Sequence, residues 1–280
     1  MKVALITDST SDLPRPLRER LGVGVVPLYV NLGGRIYRDW EEITPEEIFT
    51  KVREGEAFPT TSQPSPEDFQ RAYQEALQEA DHVLSIHISA KLSGTVQSAL
   101  LAAQNFPERI TVFDSQAASL GIGMMVLRAH ELLQAGQALP EVIRELERIR
   151  QDHFVRFSVA TLEFLKRGGR IGGAQALLGT LLGIKPILTL KEGRVEAAGR
   201  ARGEKKAREE ILKDFQAWAR GRERIRAYFL YSAEASAVRE LKEMVLASGL
   251  PVEEALVSEL GAVIASHTGP GTYGFYAYSL

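Results

Sequence analysis

The sequence predicts an α/β protein in two parts, with a mostly parallel sheet over the first half and mixed or antiparallel strands over the second. Three observations carry this expectation. Short apolar runs alternate with helix-like segments from Lys2 to about Asp152, the pattern of strands joined by crossover helices. Three of those runs, at 3–6, 83–86 and 110–113, end in polar loops, as buried parallel strands do at their carboxyl ends. Beyond about Val155 apolar runs become neighbours, and Glu192-Gly193 between two of them signals a hairpin.

Taken in order, the run 3–6 forms a strand that delivers Asp8-Ser9-Thr10-Ser11-Asp12. Residues 23–32 read as a second strand, which Gly33-Gly34 can turn back through Ile36-Tyr37. Thr44-Pro45-Glu46-Glu47 starts a helix, with a capping hydroxyl, a first-turn proline and acids at the positive helix end. Ser65-Pro66-Glu67-Asp68 repeats that signature for a helix reaching about Ala80. The strand at 83–86 leads to Ser93-Gly94-Thr95, which opens a helix to about Asn105. The strand at 110–113 leads through Asp114-Ser115 to a helix from about Leu120 to Ala135, stopped by Gly136, and Leu139-Pro140-Glu141 begins another. Downstream, strands are expected at 157–160, 187–190, 195–197, 225–231 and 252–260, and helices at 205–219 and 235–248. Residues 263–264 fit either state. The expected domains are 1–156 and 157–280.

Composition excludes several functions. A hydrophobic fraction of 45% and a charged fraction of 25% are those of an ordinary globular chain. The net charge of -2 offers no global attraction to nucleic acid. Zero cysteines exclude disulfides, thiolate metal sites and a cysteine nucleophile. No apolar run approaches the roughly 20 residues of a membrane-spanning helix, and the N-terminus turns polar at Thr7-Asp8. A cytoplasmic protein without integral membrane association is the expectation.

The chemistry concentrates in three hydroxyl-rich segments beside Gly or Pro: Thr60-Thr61-Ser62-Gln63-Pro64-Ser65, Ser89-Ala90-Lys91-Leu92-Ser93-Gly94-Thr95 and Ser266-His267-Thr268-Gly269-Pro270-Gly271. Hydroxyls and free N–H groups at helix starts suit a small anion such as a carboxylate. Each segment also reads as an ordinary cap or loop, but a cap needs one hydroxyl and these loops carry several. His267 alone among the five histidines has such company, and no two histidines share a metal-ligand spacing. Gly269-Pro270-Gly271-Thr272-Tyr273-Gly274 matches a dinucleotide fingerprint only formally, since the helix, strand and acid that should follow have no room before Leu280. No serine-hydrolase elbow surrounds Ser93, and Gly168-Gly169-Arg170-Ile171-Gly172-Gly173 lacks the ending of a P-loop. No catalytic residue, metal or cofactor is therefore assigned.

Asp8-Ser9-Thr10-Ser11-Asp12-Leu13, Thr61-Ser62-Gln63-Pro64, Ser93-Gly94-Thr95, Phe113-Asp114-Ser115, Leu165-Lys166-Arg167-Gly168-Gly169-Arg170-Ile171, Lys185-Pro186-Ile187-Leu188 and His267-Thr268-Gly269-Pro270-Gly271 occur in one order over nearly the whole chain. This set resembles the DegV family, bacterial fatty-acid-binding proteins of which some are the binding subunits of fatty acid kinase. The resemblance implies a Rossmann-like first domain and a long-chain fatty acid, such as palmitate, held in a tunnel between the two domains. It places the carboxylate at Thr61 and Ser93, with His267 in the network and Gly94 N–H as a further donor. Arg170 is implied in docking the kinase subunit, although Gly172 stands where relatives often carry a serine. The apolar stretches 122–127 and 176–182 could line the tunnel or pack the core.

The expected function is lipid carriage without catalysis, the ligand being presented to a separate kinase. Two alternatives remain at this level. One is an enzyme acting on a small carboxylated or phosphorylated metabolite with His267 as acid–base; the other is an interaction module that responds to lipid.

Overall fold

The first apolar run forms β1 (Val3–Asp8) in the computed structural model, which describes residues 1–179 and 183–280. After α1 (Arg15–Arg20), the segment read as one strand is two, β2 (Gly24–Val26) and β3 (Tyr29–Leu32). Pro27 lies between them; it has no N–H for a ladder, and the chain changes sheets there. β3 returns as β4 (Arg35–Arg38) through Gly33 and Gly34, both at positive φ. α2 (Pro45–Arg53) begins at a reciprocal cap: the Thr44 hydroxyl accepts from Glu47 N–H at 3.3 Å, and Thr44 N–H donates to Glu47 at 2.7 Å. β5 (Thr60–Ser62) pairs with β3 and sets Thr61 opposite Val30. α3 (Pro66–Ala76) repeats the cap with Ser65 and Asp68.

β6 (His82–His87), α4 (Thr95–Ala103), β7 (Ile110–Asp114), α5 (Leu120–Gln134) and α6 (Leu139–Gln151) follow. The order β2-β1-β6-β7 is parallel throughout, so the loops after β1, β6 and β7 leave one sheet edge, as the run-then-loop pattern predicts. β3, β4 and β5 make a separate antiparallel sheet in the order β4-β3-β5.

The chain moves to a third sheet at β8 (His153–Ser158), followed by α7 (Glu163–Arg167), β9 (Ile184–Lys191) and β10 (Arg194–Arg202). Then come α8 (Glu204–Trp218), β11 (Ile225–Tyr231), α9 (Ser236–Leu246), β12 (Val252–Glu259), α10 (Ala262–Thr268) and β13 (Tyr273–Ser279). Six strands pair in the order β10-β9-β8-β13-β11-β12, with β11–β12 parallel and the other pairs antiparallel. The mixed α/β architecture expected of the chain is thus present.

Alternation along β13 divides two cores. Tyr273, Phe275 and Ala277 pack with Phe154, Phe215 and Phe229 beneath α8 and α9. Tyr276 and Tyr278 turn the other way and join Leu120, Met124 and Met125 of α5. α5 touches β1 and β6 on one side and β11 and β13 on the other, so it holds the parallel and mixed sheets together. A third core joins Val30, Phe49 and Phe164 to Val263 and Ala265, which draws α10 onto the small sheet.

β13 has buried partners on both edges, and a Cβ at Gly274 would sit 2.4 Å from Arg156 O and 2.5 Å from Phe157 Cβ. Overpacking of this kind costs about 1–3 kcal/mol. Gly274→Ala should lower the urea midpoint accordingly with the slope unchanged, as equilibrium unfolding will show.

Candidate functional site

A cavity lies where the three sheets meet. Its wall takes Ile88 and Leu92 from beyond β6, Phe157, Leu190 and Val195 from the large sheet, and Val263 and Ile264 from α10. Its empty volume is about 880 Å³, mouth included. Most of its lining is apolar, a surface suited to a hydrocarbon.

Polar groups gather on part of this wall: Thr61, Ser62, Gln63, Ser93, Arg170 and His267. β5 supplies Thr61, and the last turn of α10 supplies His267. Thr61 Oγ1 and His267 Nε2 are 2.7 Å apart. His267 Nδ1 is buried without a partner, and a Cβ at Gly168 would stand 2.2 Å from it. A nitrogen with no acceptor in reach is best left unprotonated, since a buried N–H without a partner costs more than it returns. On that assignment Nε2–H donates to Thr61, whose own hydroxyl proton is free to donate elsewhere.

Ser93 ends a tight turn in which Ser93 N–H donates to Ser89 O at 3.1 Å. Its hydroxyl accepts from Thr95 N–H at 3.3 Å and lies 2.8 Å from the Thr95 hydroxyl. Gly94 is the N-cap of α4, and a Cβ there would come within 2.4 Å of Gln63 Oε1. Glycine thus allows the Gln63 amide to lie on the backbone beside Ser93. Arg170 Nε donates to Leu92 O at 3.0 Å and Nη1 to Gly168 O at 2.6 Å, which clamps the Ser93 turn to the backbone behind His267.

Burial first, and the Arg170 charge second, hold His267 down to about 4. The helix that carries it is fixed at its other end by two buried carboxyls. Asp12 accepts from Gly261 N–H at 2.9 Å and Asp39 from Val263 N–H at 3.2 Å. Burial raises both, Asp39 to about 6.

Of the residues expected to hold the carboxylate, Thr61, Ser93 and His267 line the cavity and Gly94 backs Gln63 at its wall; Arg170, expected at a docking face, stands on the cavity wall as well. Asp8, at the end of β1, serves elsewhere. It is fully buried, accepts from Ile88 N–H at 3.0 Å and lies 2.9 Å from His87 Nδ1, while His87 Nε2 approaches Ser85 at 2.5 Å and Tyr73 donates to Ser85. This buried chain ties β1 to β6, and none of its four side chains lines the cavity. The stretch 122–127 packs the core, with Ile122, Met124, Met125 and Val126 fully buried. Within 176–182, residues 180–182 lie outside those described. Sequence reasoning passed over Gln63 and Ser119, both on the cavity wall; Ser119 stands directly before α5, where a cap residue is usual. Among the described residues no cluster of His, Asp and Glu could hold a metal, and no helix is long and apolar enough to cross a membrane.

The architecture is that of an α/β protein with a parallel and a mixed sheet and an apolar cavity where its sheets meet. The chain belongs to the DegV family, whose model, described as "Uncharacterised protein, DegV family", matches residues 2–280. A DegV domain-containing protein of Deinococcus radiodurans is 46% identical over 274 residues, covering 98% of this chain and 97% of that protein. A DegV family protein from Thermus thermophilus, solved in a study of its fatty acid binding, is 80% identical with a TM-score of 0.98, and each chain is covered completely at 100%. DegV of Bacillus subtilis, described as a fatty acid binding protein, is 32% identical with a TM-score of 0.88 over 100% of both chains.

Two outcomes follow. His267 has a folded value near 4 against an ordinary 6.5, so its contribution to stability is present above pH 6.5 and is lost as pH falls to 4. The loss is at most about 3 kcal/mol. Replacing His267 by Gln should flatten urea stability across that window relative to the parent protein; the opposing titration of Asp39 is common to both and drops out of the difference. Gly168→Ala should displace the imidazole and break its bond to Thr61, which the His267 Nε2 resonance will report by NMR.

Proposed function

We propose that this protein binds a long-chain fatty acid in the cavity, with the carboxylate at Thr61 and Ser93 and Gly94 N–H as a further donor. The observation that carries the reading is the largely apolar cavity with polar groups gathered at the Thr61–His267 bond. The fatty acid binding described for the Thermus and Bacillus relatives supports it. Each buried methylene contributes about 0.8 kcal/mol, so a dozen supply about 10 kcal/mol, against at least about 4 for lost freedom on association. The carboxylate adds little net energy, because it must lose water. What it adds is orientation, provided that hydroxyls, N–H groups and the nearby Arg170 cation replace that water.

On this reading the protein is a carrier and not an enzyme. It shields the acyl chain and offers the carboxylate to a separate fatty acid kinase, with Arg170 at the docking face and the domains 1–156 and 157–280 closing on the ligand from either side. The rival, an acid–base enzyme using His267, is disfavoured by an imidazole that is nearly buried and weakly basic.

Native mass spectrometry of the purified protein should reveal a fatty acid adduct. Thr61→Ala combined with Ser93→Ala should weaken palmitate binding by about 10- to 100-fold by calorimetry, the loss of one or two charge-assisted hydrogen bonds. An unchanged affinity would remove the carboxylate assignment.

A further inference from the structure

Of the described residues that line the cavity, only Ser62 and Gln63 are exposed. The others are buried or partly buried, so the cavity meets solvent beside these two. Gln63 also reaches from the end of β5 to the start of α4. A Cβ at Gly94 would lie 2.4 Å from Gln63 Oε1, 2.5 Å from Nε2 and 2.6 Å from Cδ, so the whole amide head rests against the Gly94 Cα. That contact bridges the segment that carries Thr61 and the segment that carries Ser93. Any residue with a side chain at position 94 would expel the amide from this resting place.

Backbone and side chain of Gln63 are held very differently. Ser62 pairs with Tyr29 in the small sheet, Pro64 is buried, and the Ser65 hydroxyl accepts from Asp68 N–H at 3.2 Å at the start of α3. The residue before a proline is restricted to extended backbone, so the Gln63 Cα is fixed from both sides. Polar neighbours are tied by hydrogen bonds as well, Thr61 to His267 and Arg170 to Leu92 O and Gly168 O. The Gln63 head instead lies on a methylene, a contact made of individually weak dispersion terms. An exposed side chain held in this way changes rotamer within picoseconds to nanoseconds.

We propose that the Gln63 side chain is a hinged cover over the polar end of the cavity, resting on Gly94 when shut and swinging into solvent to admit or release a ligand. This rests on the fatty acid reading above and adds to it how the site opens. The cover acts on rates and not on affinity. A side chain that blocks passage for most of the time slows entry and departure by one common factor, the fraction of time it stands open. A plain carboxylate donor acts otherwise, since its loss speeds departure alone.

The test follows cis-parinaric acid, a fluorescent long-chain fatty acid, by stopped flow; entry is read on mixing and departure on chasing with excess palmitate. In Gln63→Ala both rate constants should rise about fivefold, as for a cover open about a fifth of the time, with the Kd within about twofold of the parent protein's. Gln63→Met, of similar length but without an amide, should restore the slow rates. Gln63 is exposed, so neither substitution threatens the fold. If departure alone speeds up in Gln63→Ala, if neither rate changes, or if Gln63→Met exchanges as fast as Gln63→Ala, the cover is overturned and the carrier reading stands. If the parent protein binds neither cis-parinaric acid nor palmitate, the carrier reading itself fails.

Discussion

The hydrogen bond between Thr61 and His267 is the contact on which the site depends. It joins residues 206 positions apart, one on a short strand of the small sheet and one on a helix near the C-terminus. Neither element is long, and neither is stable alone. Their placement comes from what surrounds them: β3 fixes the register of Thr61, Val263 and Ala265 press α10 onto the small sheet, and two buried carboxyls receive its first N–H groups. The bond is therefore a report on the whole assembly, since loosening any of these supports separates its two ends.

The electrostatics of the cavity follow from the same burial. A desolvated imidazole next to a guanidinium stays neutral, which lets it orient a hydroxyl without becoming a second cation. Arg170 spends two donors on backbone carbonyls, so its guanidinium is a brace and a source of positive potential at once.

Much of the fold could be read from residues alone, because local signals carried it. The Thr44-Pro45 and Ser65-Pro66 helix starts, the Gly33-Gly34 turn and the Glu192-Gly193 hairpin are each decided by neighbours in sequence. The misses have non-local causes. β5 has only three residues and exists because β3 offers it an edge. β13 is aromatic enough to be a strand, yet its glycine-rich approach drew attention to a fingerprint that it does not form. At the site, Thr61, Ser93 and His267 stood out through their crowded hydroxyls. Ser119 did not, because a single serine directly before a helix reads as an ordinary cap.

The position of β13 has a consequence for how the protein is made. It is among the last residues of the chain, yet it lies at the centre of the largest sheet, with β8 on one edge and β11 on the other. A nascent chain on the ribosome can assemble the parallel sheet early, but β8 and β11 must wait with open edges until Tyr273–Ser279 has emerged. Only then are the two parts of that sheet joined, β10-β9-β8 along one edge of β13 and β11-β12 along the other.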